Sequence, residues 1–103
     1  NGIRISPTEI EEIAEDHPDI GSAVAFGIEN IDVGQDIVLV FTLRKSKKLS
    51  EPLFRQYLKT NLPNHMIPKY VIQQQSFPTT GNQGKIDRQK VKDKVLVLLD
   101  NSG

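Results

Sequence analysis

The sequence contains no cysteine. This absence excludes a disulfide framework and thiol catalysis, and it leaves the redox compartment undetermined. The two histidines, His17 and His65, lie far apart and lack the paired ligand spacing of a zinc site, so we expect no metal site. Thirteen basic and thirteen acidic residues cancel, which leaves no excess charge of one sign to attract nucleic acid or an anionic membrane.

Long hydrophobic runs are also absent. The longest apolar stretches, 37–43 and 95–99, are far shorter than the roughly 20 residues that span a bilayer. The N-terminus lacks the charged-then-apolar order of a signal peptide, so we expect a soluble, cytoplasmic protein with no membrane span. A chain of 103 residues is one small domain, able to bury roughly 60 to 65% of its unfolded surface. It has little room for a deep pocket of its own.

The first residues with a clear local pattern predict a helix. Ser6 can cap it, Pro7 suits the first helical position, and Glu9 stands where a capping-box carboxylate is expected. The helix should end near His17, because Pro18 cannot continue it. The spacing predicts an apolar face at Ile10, Ile13 and Ala14, and it predicts that four acidic residues face water: Glu11, Glu12, Glu15 and Asp16.

The middle of the chain predicts two strands, a helix and a third strand. The β-branched segments 21–28 and 35–43 should pair antiparallel through the link at 29–34. Ser50 can cap a helix that runs to about Asn61, and a strand is expected over 70–75. The buried side of that helix should carry four residues at spacings of three and four: Leu53, Phe54, Tyr57 and Leu58.

From Asp87 onward the pattern predicts a final amphipathic helix, whose apolar side is Val91, Val95, Leu98 and Leu99. Its charged residues, among them Arg88, are interpreted as a solvated face. The order helix, strand, strand, helix, strand, helix predicts an α+β two-layer domain. We expect a sheet of about three strands, mainly antiparallel, flanked by about three helices.

Two polar segments could contact phosphate. The segment 78–88 places Gly81 and Gly84 just before Lys85, and glycine allows the main chain to approach a ligand closely. For an isolated Gly-Lys pair a solvated turn would be the simpler interpretation. The basic segment 44–48 is interpreted as a surface loop, with a contact to the phosphates of a large cofactor such as CoA as the alternative.

The lysine segment resembles the closing motif of the acyl-adenylate-forming superfamily, which includes acyl-CoA synthetases, peptide-synthetase adenylation domains and luciferases. The matching residues are Pro78, Thr80, Gly84, Lys85, Ile86 and Arg88. Two further segments resemble motifs of the same superfamily in the same order: 2–12, which begins Gly-Ile-Arg-Ile, and 62–68, Leu-Pro-Asn-His-Met-Ile-Pro. One departure is the insert Gly81-Asn82-Gln83, which is one residue longer than usual and bears on the reach of Lys85.

This resemblance implies that residues 1–103 form the C-terminal lid of a larger AMP-forming ligase. In that superfamily a large N-terminal domain binds ATP, Mg²⁺ and a carboxylic acid, and the acid attacks the α-phosphorus to give an acyl-adenylate and pyrophosphate. By resemblance Lys85 is the ammonium that stabilises this step. Because the ATP-binding loops belong to the other domain, we expect the chain alone to be catalytically silent.

The resemblance also implies a second step, in which the lid rotates and the acyl group passes to a thiol. Gly2 would let a pantetheine arm pass, Arg4 would hold the adenylate phosphate, and Gly84 is expected at the substrate or CoA contact. Glu9 is interpreted as a helix cap rather than a substrate contact. The hinge residue would lie upstream of Asn1, so we expect this chain to be a fragment of a longer enzyme.

The segment 4–12, Arg-Ile-Ser-Pro-Thr-Glu-Ile-Glu-Glu, looks more like the corresponding segment of acyl-CoA synthetases than like that of adenylation domains. It favours a fatty or aromatic acid as substrate and CoA as acceptor. The alternative is an adenylation domain that loads an amino acid or acyl chain onto a carrier protein. An alternative of another class is a non-catalytic module that docks a carrier protein, which the extra residue before Gly84 favours.

Overall fold

The computed structural model describes residues 6–32, 34–81 and 84–101. Three helices and two sheets make up this part of the chain. In order they are α1 (Pro7–Glu15), β1 (Ile20–Asn30), β2 (Gly34–Leu43), α2 (Glu51–Asn61), a single 3₁₀ turn (Asn64–Met66), β3 (Tyr70–Gln73), β4 (Thr79–Thr80), β5 (Lys85–Ile86) and α3 (Arg88–Asn101).

The main sheet has the strand order β1-β2-β3. Strands β1 and β2 pair antiparallel, with Val24 opposite Val40, as the short link between them predicts. Strand β3 joins β2 in parallel, with Val40 opposite Ile72. A parallel neighbour requires a crossover connection, and α2 lies in that connection. The α+β class with a three-stranded, mainly antiparallel sheet is confirmed.

The predicted helix starts are confirmed by their caps. The Ser6 hydroxyl accepts a hydrogen bond from the Glu9 N–H at 3.3 Å, and the Ser50 hydroxyl accepts one from the Leu53 N–H at 3.4 Å. Asp87 serves α3 in the same way, since its carboxylate accepts the Lys90 N–H at 3.1 Å. Each cap satisfies a main-chain donor that the first helical turn leaves free.

The sheet separates two apolar clusters. Helices α1 and α2 pack on one face, where Ile10 and Phe54 meet Leu39 and Phe41. We call this the α1–α2 cluster. Helix α3 packs on the opposite face, where Val91 and Val95 meet β-strand valines 24, 38 and 40; this is the α3 cluster. The sheet is therefore the middle of three layers, whereas the sequence order predicts two, because β1 and β2 carry apolar side chains on both of their faces.

Three side chains are placed differently from the sequence prediction. Glu11 is buried, with 5% of its surface exposed, instead of facing water. Leu53 and Leu98 are 63% and 45% exposed, instead of buried. On α3 the buried residues are Val91 and Val95, and Leu99 is partly buried against the same cluster. On α2 the buried residues are Phe54 and Leu58, and Leu53 lies outside this buried face.

The segment before α3 is more ordered than a loop. Strands β4 and β5 pair antiparallel and form a small hairpin, with Thr79 opposite Ile86 and Thr80 opposite Lys85. We call residues 78–87 the lysine hairpin. Two-residue strands in a polar segment carry no period-two signal, so the sequence predicted only a loop here.

Candidate functional site

The lysine hairpin presents Lys85 on its outer side. Successive side chains of a strand point to opposite sides, and the neighbouring Ile86 packs against the α3 cluster. Lys85 is exposed, and within residues 6–32, 34–81 and 84–101 no carboxylate lies within 4.0 Å of its ammonium group. The side chain is therefore available to an anion from outside the domain.

Two glycines shape the hairpin. Gly81 and Gly84 have φ values of 73° and 69°, which is the left-handed region that residues with a Cβ atom adopt at a cost. A Cβ atom built at either position would meet no described atom within 4 Å. Backbone conformation, and not lack of space, is therefore the reason for glycine at both positions.

One main-chain hydrogen bond closes the base of the hairpin, and neighbouring side chains attach it to the domain. The Asp87 N–H donates to the Pro78 carbonyl at 2.8 Å, which closes the base. Phe77 and Ile86 pack against the α3 cluster. Immediately after the hairpin, Arg88 at the start of α3 forms an ion pair with Glu11 on α1.

The Glu11–Arg88 pair is a two-point contact. Each terminal nitrogen of the guanidinium donates to one carboxylate oxygen, both at 2.5 Å. The Glu11 Oε2 atom also accepts the main-chain N–H of Ala25 on β1 at 2.7 Å. Hydrogen bonding to Glu11 is the main cause that raises the pKa of Arg88 above its usual value, so the guanidinium stays charged.

A shallow groove borders the hairpin. It has a volume of about 320 Å³ and is lined by Thr79, Gly84 and Ile86 on one side and by the ends of β1 and β2 with residues 75–77 on the other. Its polar lining includes Ser22 and Thr42. The groove is open, so a ligand held there would need a second wall to be enclosed.

The structure says less about the other predicted site residues and about the basic segment 44–48. Gly2 and Arg4 lie outside the described residues. In the basic segment, the Arg44 Nε–H donates to the Ile20 carbonyl at 3.1 Å, and its main-chain N–H donates to Asp19. Lys45, Lys47 and Lys48 are exposed. Arg44 thus has a structural role, which leaves these lysines as the available cations of the segment.

His17 has structural contacts. It accepts the Asp19 N–H on its Nδ1 atom at 3.1 Å and packs edge-on against Tyr57, with 4.8 Å between ring centroids. Within the described residues there is no group of three or more histidine or carboxylate side chains that could hold a metal ion. No helix in the same part of the chain is long and apolar enough to cross a membrane.

Sequence reasoning missed Glu11 as a member of this site. It stands among four acidic residues on one short helix, and nothing local distinguishes it from Glu12. Its partner Arg88 lies 77 residues later in the chain. The one available signal was that both residues fall within the motif segments at 2–12 and 78–88.

Comparison with known proteins assigns the domain type. The family model described as AMP-binding enzyme C-terminal domain matches residues 9–84, so Lys85 lies just beyond the matched range. A probable CoA ligase of Humulus lupulus is 32% identical over 98% of this chain and 19% of its own length. A linear gramicidin synthase of Brevibacillus parabrevis is 29% identical over 92% of this chain and 2% of its own length.

A solved structure gives the same picture. A double mutant of o-succinylbenzoate CoA synthetase from Bacillus subtilis, bound to a product analogue, is 26% identical to this chain. The two superpose with a TM-score of 0.76 over 89% of this chain and 18% of that one. The chain thus spans about a fifth of the length of the first curated relatives and of this structure.

Proposed function

The chain belongs to the AMP-binding enzyme C-terminal domain family, and from that premise we propose that it is the lid of an AMP-forming acyl-CoA synthetase. Its CoA ligase and acyl-CoA synthetase relatives are about five times longer. We therefore assign residues 1–103 to one C-terminal domain and the ATP-binding site to a large N-terminal domain of the same protein. The observation that carries the proposal is the exposed ammonium group of Lys85, which has no ion-pair partner among the described residues.

The proposed role of Lys85 is electrostatic. A carboxylate oxygen of the acid attacks the α-phosphorus of ATP, the bond to the β-phosphate oxygen breaks, and pyrophosphate leaves. Negative charge shifts onto the bridging and leaving oxygens, and an ammonium group held there stabilises the transition state more than the ground state. Lys85 acts as a cation in this scheme and not as a base.

The second proposed step transfers the acyl group to the thiol of CoA. The thiol loses its proton to solvent, its sulfur attacks the acyl carbon, and AMP leaves with the electrons of the broken carbon–oxygen bond. Gly2 and Arg4 would lie near this reaction, with Gly2 leaving space for the pantetheine arm and the Arg4 guanidinium holding the phosphate. Gly84 borders the open groove beside the hairpin, where the main chain is accessible to a ligand.

The described residues fit anion binding better than metal binding. Lys85 offers a cation with no described carboxylate next to it, which suits a phosphate or a carboxylate. No described cluster of carboxylates and histidines could hold Mg²⁺, so we assign Mg²⁺, like most contacts to ATP, to the N-terminal domain. Mg²⁺ bound there would neutralise phosphate charge. We also place the enzyme in the cytoplasm.

CoA is the proposed acceptor, and a carrier protein is the second candidate. The probable CoA ligase of Humulus lupulus aligns with 98% of this chain, which supports CoA as the acceptor. The likeness to the gramicidin synthase favours the alternative, in which an amino acid or acyl chain is loaded onto a carrier protein. Assays of the full-length protein with CoA and with a pantetheinylated carrier protein distinguish the two acceptors.

The test is Lys85→Ala in the full-length enzyme. A panel of fatty and aromatic acids first identifies a substrate by pyrophosphate release. With that acid we expect the rate of pyrophosphate release to fall by about 10² to 10³, the usual effect of removing one such stabilising group. Thermal unfolding of the variant should match that of the unmodified protein, because the Lys85 side chain is exposed.

Lys59→Ala is the matched control. Lys59 is an exposed lysine on α2, and its removal should leave pyrophosphate release unchanged. If Lys85→Ala formed acyl-adenylate at the rate of the unmodified enzyme, the catalytic role would be wrong, and the domain would be better described as a non-catalytic module that docks a carrier protein.

A further inference from the structure

Glu11 is the one charged side chain that is buried within the described part of the chain. It lies on α1, at the outer edge of β1, which has a strand neighbour on one side only in the described sheet. There its carboxylate accepts the Ala25 N–H, a main-chain donor on the side of β1 that faces away from β2. A buried carboxylate is costly unless it is paired, so its position is set by the partners that surround it.

Arg88 comes to this carboxylate from the other side of the sheet. It is the first residue of α3, which packs on the face opposite α1. The ion pair therefore passes around the edge of β1 and joins the two helical layers. A guanidinium that donates to both oxygens of one carboxylate fixes its orientation as well as its distance.

The position of Arg88 matters because Lys85 lies three residues earlier. Between them the chain has only Ile86, which packs on the α3 cluster, and Asp87, whose N–H closes the base of the hairpin. The hairpin itself has only two paired residues on each strand. Such a short ladder is not stable alone, so its direction depends on how its base is attached.

Stabilisation of the fold does not by itself explain why the Glu11–Arg88 ion pair is present. Replacing a buried ion pair by apolar residues is often neutral or stabilising, and 59% of the Arg88 side chain is exposed. A contact that fixes direction is useful where a side chain must reach a reacting group accurately, since a shift of about 1 Å can cost about 100-fold in rate.

We propose that Arg88 and Glu11 are positioning residues that aim Lys85 at the adenylation site, by clamping the base of the lysine hairpin to α1 and the edge of β1. This inference rests on the proposed function of Lys85. Neither residue touches substrate in this scheme. Their effect on the reaction passes through the direction of the hairpin.

The experiment compares Arg88→Gln with Lys85→Ala in the full-length enzyme, in two separate half-reactions. Pyrophosphate release reports adenylation, and transfer from a synthetic acyl-adenylate to CoA reports the second step. We expect Arg88→Gln to lower the kcat of adenylation by about 10- to 100-fold, with a small change in the KM for ATP. Transfer from the supplied adenylate should be unchanged.

A double variant separates positioning from a general structural role. If Arg88 acts through Lys85, Arg88→Gln should cause no further loss of adenylation in the Lys85→Ala background. Arg88→Lys keeps the charge but loses the two-point contact, so it should lie between Arg88→Gln and the unmodified enzyme. Arg55→Gln is the matched control, because Arg55 also pairs with a glutamate and with main-chain carbonyls, and it should leave adenylation unchanged.

Should Arg88→Gln fail to fold, the pair Glu11→Gln with Arg88→Gln replaces it. That double variant removes the buried charge together with its partner, and the side-chain amide oxygen introduced by Glu11→Gln would still accept the Ala25 N–H. Normal adenylation in the folded variant, or an equal loss in both half-reactions, would overturn the positioning role while Lys85→Ala remains impaired. Normal adenylation by Lys85→Ala would instead overturn the proposed function itself.

Discussion

On one face of the sheet, the described residues of the α1–α2 cluster include thirteen buried side chains; on the other face, the α3 cluster includes five. The larger cluster contains Phe41, Phe54 and Met66, whereas the smaller one consists of valines. Since the free energy of burial scales with apolar area, the α1–α2 side carries most of the stability. The candidate site lies on the thinner side.

The two sides of the sheet therefore differ in role. The α1–α2 side holds the domain together and presents none of the predicted reactive groups that the structure describes. A few contacts hold the lysine hairpin on the α3 side, namely those of Phe77, Ile86 and the Glu11–Arg88 pair, and the Asp87 N–H closes its base. The direction of Lys85 can therefore be changed by substitutions that leave most of the domain intact.

The largest expected effect is on the α1–α2 side. Phe54 is fully buried and contacts Phe41 edge to face, with 4.7 Å between ring centroids. Phe54→Ala should lower the free energy of unfolding by about 3 to 5 kcal/mol, measured by urea denaturation of the 103-residue chain. The neighbouring Leu53 is 63% exposed, and Leu53→Ala is the control, with an expected loss of at most about 0.5 kcal/mol. Equal losses would contradict the described orientation of α2.

A matched pair of valines compares the two faces directly. Val71 lies in the α1–α2 cluster and Val95 in the α3 cluster, and both are buried. Each Val→Ala change should lower the free energy of unfolding by about 2 kcal/mol, for the lost methyl groups and the cavity. Only Val95→Ala should also speed hydrogen exchange at the Asp87 amide, which closes the hairpin. Equally faster exchange of the Asp87 amide in both variants would show that the two faces are not independent.

Substitution of two glycines with positive φ should have a smaller effect on the free energy of unfolding. Gly84 lies in the lysine hairpin and Gly34 at the start of β2, with φ values of 69° and 93°. A Cβ atom at either position meets no described atom within 4 Å. Gly84→Ala and Gly34→Ala should therefore each cost about 1 kcal/mol of backbone strain, measured by urea denaturation. Only Gly84→Ala should also slow adenylation in the full-length enzyme, and a matching loss from Gly34→Ala would argue against a local effect at Lys85.

The smallest expected effect concerns Tyr57 and pH. The Tyr57 hydroxyl donates to the Ile13 carbonyl at 2.7 Å, and burial, followed by the negative charge of Asp16, raises the pKa of Tyr57. Because the folded pKa exceeds the unfolded one, this contribution is present below the ordinary pKa of about 10 and is lost as pH rises through the folded pKa. Tyr57→Phe should cost about 0.5 to 1 kcal/mol at pH 7.

Chemical denaturation of the two proteins across pH 7 to 11 (roughly the span that brackets the ordinary tyrosine pKa) measures the effect. The difference in the free energy of unfolding between Tyr57→Phe and the unmodified chain should shrink as pH rises above about 10. A difference that stays constant with pH would show that the hydroxyl contributes through packing and not through its proton.

Most of the fold could be predicted from local patterns. Ser6 and Ser50 mark the two helix starts because a hydroxyl before a helical pattern can accept a free N–H. The alternation along β3 places Tyr70 and Ile72 on the face opposite Val71, and the two clusters confirm it. The motif segments led to the family, which the match over residues 9–84 confirms. The roles of Gly2, Arg4, Gly84 and Lys85 stay predictions.

What the residues determined by themselves were the helices, the three strands of the main sheet and the lysine that follows the glycines, because caps, periodicity and positive φ are properties of neighbouring residues. Only the tertiary structure decided that Glu11 is buried, that Arg88 is its partner, and that Ile86 turns Lys85 outward from the α3 side. These outcomes depend on the position of β1 at the edge of the described sheet and on the helices that pack on its two faces. Contacts over 77 residues of chain leave no mark in the local pattern, because the ion pair forms only once both helical layers have packed on the sheet.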